Sequence, residues 1–479
     1  MASINELPGW SLLIMELVHY SATECVALLK RGEIHPRELI EASISRIEAV
    51  DQHVNALPIR CFERAFEQAD NYRIDSILAG LPVAVKDYND VGGVKTTYGS
   101  PLFADHIAGR SDATVAQLEK NGAIPVAKSN VPEWAGGHTF NPVFGTTRNP
   151  WNTSRTAGGS SGGSAVALAT GQVWLATGND LGGSLRTPAG FNAVTGLRPG
   201  PGRVPRGLRL QPFDSLWVEG PMARNITDLA LMLDAGAGFA ADDPLSFAHT
   251  AGEFSAAVLH EHVPQRIAFS ADLGQVPVAK EISGICEAAV QKCRTLGTQV
   301  TADIPDFSGV IDGFQTLRAV LVATMMGPML EQHRDQIAPE IIGNIERGFS
   351  VTPEQIFAAE RVRWRLYESL NEFFKHHDLL VCPSASIEPF PASQRYVEEI
   401  DGQPLETYID WFSITFALSM CGCPVISLPC GFTAAGLPVG LQIMGRPRAE
   451  GQLLAMARQL EALFSVAQML PIEPRRADA

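Results

Sequence analysis

Two Gly-Gly-Ser turns, Gly158-Gly159-Ser160 and Gly182-Gly183-Ser184, lie within one segment that runs from Thr156 to Pro188. Glycine permits backbone dihedral angles that other residues avoid, and it lets a substrate approach the main chain closely. The residues between the two turns are mainly apolar, which is typical of packed structure. The segment therefore predicts two serines, each presented at a tight turn.

A run of glycine and serine is also typical of a flexible linker. Linkers do not lie between apolar strands, however, and Ser164 to Ala169 predicts a helix that the first turn opens, which places Ser160 near the positive end of a helix. A phosphate-binding loop fits less well. The segment lacks both the Gly-Lys-Ser/Thr ending and the Gly-x-Gly-x-x-Gly spacing of such loops.

A serine nucleophile must be activated by a base within hydrogen-bond reach. The candidate is Lys86, which ends the apolar run Leu81 to Val85, a pattern that predicts a buried strand. Taken alone, Lys86 would be more typical of a surface residue at a strand end, but its combination with the two turns favours a base. Burial lowers the pKa of a lysine, so the rate is predicted to rise toward alkaline pH.

Three separated pieces of sequence resemble the amidase signature family of serine amide hydrolases in order and spacing. They are Lys86-Asp87, the glycine and serine segment, and Gly196-Leu197-Arg198-Pro199. Further pieces that resemble the family are Ala127 to Glu133, Asn149 to Asn152, Gly422-Cys423-Pro424 and Gly440-Leu441-Gln442. The likeness covers roughly residues 21 to 463.

The resemblance implies a catalytic triad in which Ser184 is the nucleophile, Ser160 a bridging serine preceded by a cis peptide bond, and Lys86 the general base. It implies an oxyanion hole of backbone N–H groups at Leu181, Gly182 and Gly183. It also implies that three residues brace this site: Ser161, Asp180 and Arg186. A small-molecule amide is the expected substrate, and neither a metal nor a cofactor is expected.

The substrate class is predicted from fewer residues. Gly136 and Gly137 match positions where relatives carry bulky side chains, so we expect a substrate-binding site that is open near the acyl group. Apolar walls are expected from some of five aromatic residues, which would otherwise belong to the core: Trp134, Phe140, Phe144, Tyr408 and Trp411. These walls suit small aryl or aliphatic amides, while carbamates and nylon-type oligomers are also compatible.

The alternative function is the glutaminase-like subunit of a tRNA-dependent amidotransferase. Such subunits usually read Asp-Thr-Gly-Gly-Ser at the second turn, whereas this chain has Asp180-Leu181-Gly182-Gly183-Ser184, preceded by Asn179 where threonine is commoner. The apolar Leu181 makes a site for polar glutamine less favourable. His138 is expected to be a loop or pocket-wall residue, because no histidine-based triad is indicated.

Composition restricts the partners. A formal charge of −15 and a pI near 5.2 disfavour nucleic acid, since the basic stretch Arg203 to Arg209 is short. The apolar patch Trp10 to Met15, flanked by Glu6 and Glu16, suits neither a signal peptide nor a membrane span. Eight scattered cysteines without a Cys-x-x-Cys pair predict buried thiols of a reducing compartment, hence the cytoplasm. A homodimer is compatible with the sequence.

Alternating short apolar runs and helical patterns predict an α/β fold, a mixed twisted sheet sandwiched by helices. We expect one domain over residues 1–479, with a helical arm at about 1–70 and the signature core at about 75–235. A helical region at about 315–375, which includes Met325, Met326 and Met329, is expected to cover the pocket. Strands and a helix at about 378–465 complete the sheet.

Overall fold

The computed structural model describes residues 16–207 and 210–476. The apolar patch Trp10 to Met15 therefore lies outside the described residues, as do Leu208 and Arg209 of the basic stretch. The α-helices of the described residues are, in chain order, α1 (Ala22–Lys30), α2 (Pro36–Val54), α3 (Phe62–Ala69), α4 (Ala113–Lys120), α5 (Gly162–Ala169), α6 (Arg186–Asn192), α7 (Ile226–Gly236), α8 (Glu253–Ala257), α9 (Lys280–Lys292), α10 (Val310–His333), α11 (Pro339–Ser350), α12 (Pro353–Phe373), α13 (Ser413–Ser419) and α14 (Glu450–Phe464).

The strands of the described residues are β1 (Ile59–Arg60), β2 (Pro82–Lys86), β3 (Ile124–Ser129), β4 (Phe140–Asn141), β5 (Gly145–Thr146), β6 (Arg148–Asn149), β7 (Asn152–Thr156), β8 (Leu175–Asp180), β9 (Thr195–Arg198), β10 (Val218–Ala223), β11 (Arg266–Phe269), β12 (Gln299–Thr301), β13 (Leu379–Pro383), β14 (Glu399–Ile400), β15 (Gln403–Pro404), β16 (Val425–Phe432) and β17 (Pro438–Met444). Eleven of them form one sheet in the order β1-β3-β2-β8-β10-β9-β16-β17-β13-β11-β12.

This sheet is mixed, as predicted. β2 runs parallel to both β3 and β8, whereas β10 runs antiparallel to β8 and β9. β16, β17 and β13 pair antiparallel, and they join strands from the C-terminal third to the edge pair β11 and β12. The predicted fold class, a mixed α/β sheet with helices, is confirmed.

Helices pack on both faces of the sheet. Along β2, Val83 and Val85 belong to one apolar cluster, which also contains side chains of α1, α4, α7 and α14, while Ala84 belongs to a second cluster with α2, α3 and α5. Successive strand residues point to opposite faces, so these two clusters lie on opposite sides of the sheet. Both faces of β2 are buried, and its residues before Lys86 are apolar.

The central strands end where the functional side chains begin. β2 closes on Lys86 and its neighbour β8 closes on Asp180, and these parallel strands pair Val83 with Leu175. The apolar pattern of the sequence predicts a strand from Val173 to Thr177, but β8 starts two residues later and continues to Asp180. This extension carries polar side chains to the same edge of the sheet as Lys86.

The region around residues 315–375 contains α10, α11 and α12, and α10 packs on both α11 and α12. An apolar cluster on the inner side of α10 and α11 includes Met326 and Ile341, with Trp134 packed against it. Within the described residues, no helix combines the length and the hydropathy that crossing a lipid bilayer requires. All eight cysteines are buried and carry free thiols, as predicted.

Candidate active site

Lys86 is fully buried at the end of β2, and its amine is held by three side chains. The Nζ atom lies 2.7 Å from Ser160 Oγ, 2.9 Å from Ser161 Oγ and 2.6 Å from Asn179 Oδ1. Its backbone N–H donates to Thr177 Oγ1 at 2.8 Å, which fixes the end of the strand. The structure thus brings together three of the predicted site residues: Lys86, Ser160 and Ser161.

These contacts suit a neutral amine. Burial lowers the pKa of Lys86 to about 7, against the opposing effect of the carboxylates Glu219 and Asp180. A neutral amine has two N–H donors and one lone pair. Asn179 Oδ1 can accept one donor, and the hydroxyls of Ser160 and Ser161 can meet the other donor and the lone pair.

Ser160 lies at the first turn, two residues before α5. The Gly159-Ser160 peptide bond is cis, as the family resemblance implied. A side chain at Gly159 would lie 2.3 Å from the carbonyl oxygen of Gly137, so only glycine fits here. The adjacent His138 is buried, contacts Thr156 Oγ1 at 3.0 Å, and has a pKa lowered by burial to about 4. His138 is therefore uncharged at neutral pH and lies in the wall behind the turn.

Asp180 holds the second turn in place. Its Oδ1 accepts from Gly183 N–H at 2.9 Å, and its Oδ2 accepts from Leu185 N–H at 3.1 Å. Arg186 and Arg198 each lie 3.0 Å from Oδ1 in fully buried ion pairs. Burial alone would raise the pKa of Asp180, but the two guanidinium groups outweigh it and hold the pKa well below its usual range. The carboxylate stays charged and organises the backbone around Ser184.

Ser184 is half-buried at the tip of this turn. Its carbonyl oxygen accepts from Ser161 N–H at 3.2 Å, which joins the two turns. Among the described residues, no hydrogen bond connects the hydroxyl of Ser184 to that of Ser160. Contacts of this kind are often long in a free enzyme and shorten when substrate binds. The structure therefore aligns the turns but leaves the Ser184 hydroxyl free on the pocket side.

A narrow pocket lies above Ser184, and its walls are mainly aromatic and apolar. The lining residues that face it include Tyr88, Trp134, Leu181, Trp217, Met325, Met326 and Ile341. Tyr88 and Trp217 have ring centroids 4.9 Å apart, and the Trp134 ring stacks on Tyr98 at 5.4 Å. The polar groups in this wall are the side chains of Ser184, Asn179 and Arg318, the hydroxyl of Tyr88, and the indole N–H groups of Trp134 and Trp217.

A larger cavity of about 580 Å³ lies beside the narrow pocket. Gly136 and Ile341 line both spaces and therefore form the partition between them. Charged side chains lie in the wall of the outer cavity, among them Glu133, Glu340 and Arg395, and Arg395 pairs with Glu340 at 2.8 Å.

Comparison with known proteins agrees with this geometry. The amidase family model matches residues 38–454. The chain belongs to the amidase signature family. It is an enzyme that hydrolyses amides. The matched range runs from α2 to α14, so the match extends far beyond the glycine and serine segment.

Two curated relatives of the enzyme carry different names. An acylamidase of Rhodococcus erythropolis is 32% identical over 95% of this chain and 97% of its own length. A Glutamyl-tRNA(Gln) amidotransferase subunit of Moorella thermoacetica is also 32% identical, over 93% of this chain and 97% of its own length. Among solved structures, a bacterial aryl acylamidase of the amidase signature family matches with a TM-score of 0.86 and 28% identity, over 95% of this chain and 99% of its own.

The predicted aromatic walls of the enzyme are found in different places. Trp134 lines the pocket above Ser184, whereas Phe140 and Tyr408 line the outer cavity. Trp411 was predicted as a wall or core residue and is core, since it is 1% exposed and packs on Phe390. Phe144 lines neither space.

Gly136 and Gly137, which were predicted to leave the site open, both line the outer cavity but differ in the space around them. A side chain at Gly136 would lie 2.5 Å from Ile341 Cδ1, so α11 already fills the space that the glycine leaves. Gly137 lines only the outer cavity, and a side chain there would meet open space. Sequence reasoning missed Tyr88, Trp217 and Ile341 as wall residues. Nothing in their local sequence distinguishes them from ordinary core residues.

Proposed function

We propose that the enzyme cleaves the C–N bond of small amides through an acyl-enzyme formed on Ser184. The observation that carries this proposal is the set of three hydrogen bonds around Lys86 Nζ, which suits a neutral base whose lone pair meets the hydroxyl of Ser160. Ser184 lies on the adjoining turn and faces the pocket. The arrangement supplies a nucleophile, a proton carrier and a base without a histidine.

In the proposed reaction, Ser184 Oγ attacks the amide carbonyl carbon while its proton passes to Ser160 Oγ. Ser160 passes its own proton to Lys86 Nζ, which becomes charged. When the C–N bond breaks, the proton returns through Ser160 to the leaving amine, and an ester to Ser184 remains. A water molecule, deprotonated by the same path, then attacks the ester carbon and releases the acid.

The oxyanion of the tetrahedral intermediate is proposed to be bound by the backbone N–H groups of Leu181, Gly182 and Gly183. The Gly183 N–H already donates to Asp180 Oδ1, so that donor would be shared. Leu181 and Gly182 are thus the principal donors. Asp180, Arg186 and Ser161 are proposed to support catalysis by fixing this loop and the amine of Lys86.

The pocket supports aryl and compact aliphatic amides as substrates. Tyr88, Trp134 and Trp217 surround Ser184 with rings, and aromatic surfaces of this kind favour apolar groups. Gly136 and Gly137 are proposed to line the path of the substrate, Gly136 at the partition beside Ile341 and Gly137 in the outer cavity. Carbamates present an acyl carbon to the same nucleophile, so aryl carbamates are a further candidate class.

The second candidate function is that of an amidotransferase subunit, which the relative from Moorella thermoacetica favours. Leu181 argues against it, because its apolar side chain packs with Tyr88 and Trp217 in the wall where a polar glutamine would bind. We propose a free-standing enzyme. The eight buried free thiols support its location in a reducing compartment such as the cytoplasm.

The test is hydrolysis of a small panel by wild type, Ser184→Ala and a control, Ser350→Ala, whose serine is exposed at the end of α11. The panel contains an aryl anilide, an aliphatic primary amide, an aryl carbamate and glutamine. We expect wild type and the control to hydrolyse the anilide at equal rates and Ser184→Ala to lose at least about 1000-fold in kcat/KM.

Undiminished hydrolysis by Ser184→Ala would refute the proposed nucleophile. Turnover of glutamine alone, and only when a partner protein is present, would favour the amidotransferase instead. Circular dichroism and the unfolding temperature of each variant, compared with those of wild type, show whether the variant is correctly folded.

A further inference from the structure

Arg318 of α10 is a buried cation in the wall of the pocket that contains Ser184. Its side chain is nine-tenths buried, with a relative exposure of 8%. The guanidinium donates from Nη1 to Asn344 Oδ1 at 2.8 Å and from Nη2 to the hydroxyl of Tyr408, and its carbon lies 5.4 Å from the centre of the Tyr408 ring. All of these partners are neutral.

No carboxylate of the described residues forms a salt bridge with Arg318. The contrast with other buried arginines is clear, because Arg186 and Arg198 both pair with Asp180 at 3.0 Å and Arg203 pairs with Glu450 at 2.8 Å. A charge that is buried without a counter-charge is costly, and proteins usually pair it or bind an ion with it. Arg318 therefore has no negatively charged side chain as a partner among the described residues, although burial of its charge favours one.

Several donor groups beside Arg318 have no acceptor. Of the buried nitrogen atoms of the described residues that have no hydrogen-bond partner, three lie at or next to this pocket: Asn344 Nδ2, Asn179 Nδ2 and Trp134 Nε1. Asn344 is the residue that binds Arg318, and Asn179 and Trp134 line the pocket with it. A buried donor that is left unpaired costs free energy until an acceptor reaches it. The pocket is rich in donors and poor in acceptors.

We infer that the substrate carries a carboxylate, or a group with the same charge and oxygen acceptors, which binds Arg318 while the amide lies at Ser184. The guanidinium forms paired, charge-assisted hydrogen bonds with a carboxylate, and the ring walls hold the apolar part between the two ends. This inference rests on the proposed function for its reaction, and it narrows the substrate to amides of compact apolar acids or amines that bear one anionic group.

Binding can be tested apart from turnover. Calorimetry on Ser184→Ala protein compares 3-phenylpropanoate with the neutral 3-phenylpropan-1-ol. We expect the carboxylate to bind at least about tenfold more tightly, since charge-assisted hydrogen bonds are among the stronger ones. Adding Arg318→Gln should remove this preference, whereas Arg361→Gln, which removes an equal charge from an exposed position on α12, should retain it.

A second variant separates recognition from a structural role. Asn344→Asp keeps the shape of the side chain and gives Arg318 a permanent counter-charge 2.8 Å away. We expect it to fold at least as stably as wild type and to lose the preference for the carboxylate ligand. If Arg318 only joins α10 to α11, Asn344→Asp leaves the ratio of the two affinities unchanged, and that result would overturn the inference.

Kinetics distinguishes the two proposals. Wild type and Arg318→Gln are compared on N-(4-nitrophenyl)succinamic acid and pentanoic acid 4-nitroanilide, and on 4-acetamidobenzoate and 4-methylacetanilide, so that the carboxylate lies on either side of the amide. We expect wild type to prefer the anionic member of one pair, and Arg318→Gln to lose that preference while it retains turnover of the neutral member. Turnover that depends on Ser184 but shows no such preference refutes the carboxylate site alone. Arg318-dependent binding without Ser184-dependent turnover refutes the proposed reaction alone.

Discussion

At Lys86, the number of hydrogen-bond partners determines where the lone pair of a neutral amine points. Asn179 Oδ1 can only accept, so it takes one N–H of the amine at 2.6 Å. In the proposed reaction Ser161 Oγ takes the other N–H, and Ser160 meets the lone pair. Asn179 would then position the proposed base, although the sequence marks it only as a departure from threonine.

This arrangement predicts a rate that depends on pH. Because burial lowers the pKa of Lys86 to about 7, the fraction of neutral amine, and hence kcat/KM, should rise through about pH 7 and level off above about pH 8. Asn179→Asp places a carboxylate beside Nζ, favours the charged amine and should move the rising limb upward by about one to three pH units. The measurement is the pH profile of kcat/KM for the anilide.

The control for that shift is Asn71→Asp, which adds the same charge at an exposed position. Its pH profile should match that of wild type. An unshifted limb in a folded Asn179→Asp variant would mean that a group other than Lys86 titrates in this range.

At the scale of elements, the second turn depends on α13 as much as on β8. Thr415 of α13 donates its hydroxyl to the carbonyl oxygen of Gly182 at 2.9 Å, and Gly183 adopts a φ of +129° directly against it. A side chain at Gly183 would lie 2.3 Å from Thr415 Oγ1. Helix, turn and strand therefore fit together only with glycine at this position.

Gly183→Ala should displace this turn from α13. We expect kcat to fall at least about 100-fold, as when an oxyanion donor is lost, and stability to fall by about 1–3 kcal/mol because of the unfavourable φ and the clash. Gly109→Ala is the matched control, since Gly109 is exposed and a side chain there meets no atom within 4 Å. Steady-state kinetics and urea unfolding of both variants check the prediction, which fails if they behave alike.

The elements that carry Lys86 and Ser160 could be predicted because each has a local signal. An apolar run ends at Lys86, and a glycine turn precedes a helix at Ser160, so short-range pattern was sufficient. The pocket could not be predicted in this way. Tyr88, Trp217 and Arg318 lie far apart in sequence, and only the strand order and the packing of α10 bring them together. The bulky residue opposite Gly136 was missed for the same reason.

At the scale of the whole molecule, burial of Lys86 lowers both the pKa of its amine and the stability of the folded protein. The pKa of Lys86 is about 7 in the folded protein and 10.5 for an ordinary lysine. Between these values the unfolded chain binds one more proton than the folded chain, so this group makes stability rise with pH in that window. Below about pH 7 both states are protonated, and the cost of burying the charge is then fully present.

Lys86→Met removes this charge and its proton linkage. The free energy of unfolding of the variant minus that of wild type should therefore be most positive at or below pH 7. It should decline by about 1.4 kcal/mol per pH unit between pH 7.5 and pH 9.5. The lost hydrogen bonds to Ser160 and Asn179 add a constant offset that does not change this slope. Urea unfolding of both proteins across this range measures it, and Lys120→Met, which removes an exposed lysine at the end of α4, is the control with no expected slope. A difference that does not vary with pH would show that Lys86 is charged throughout the range, and it could not then act as the base.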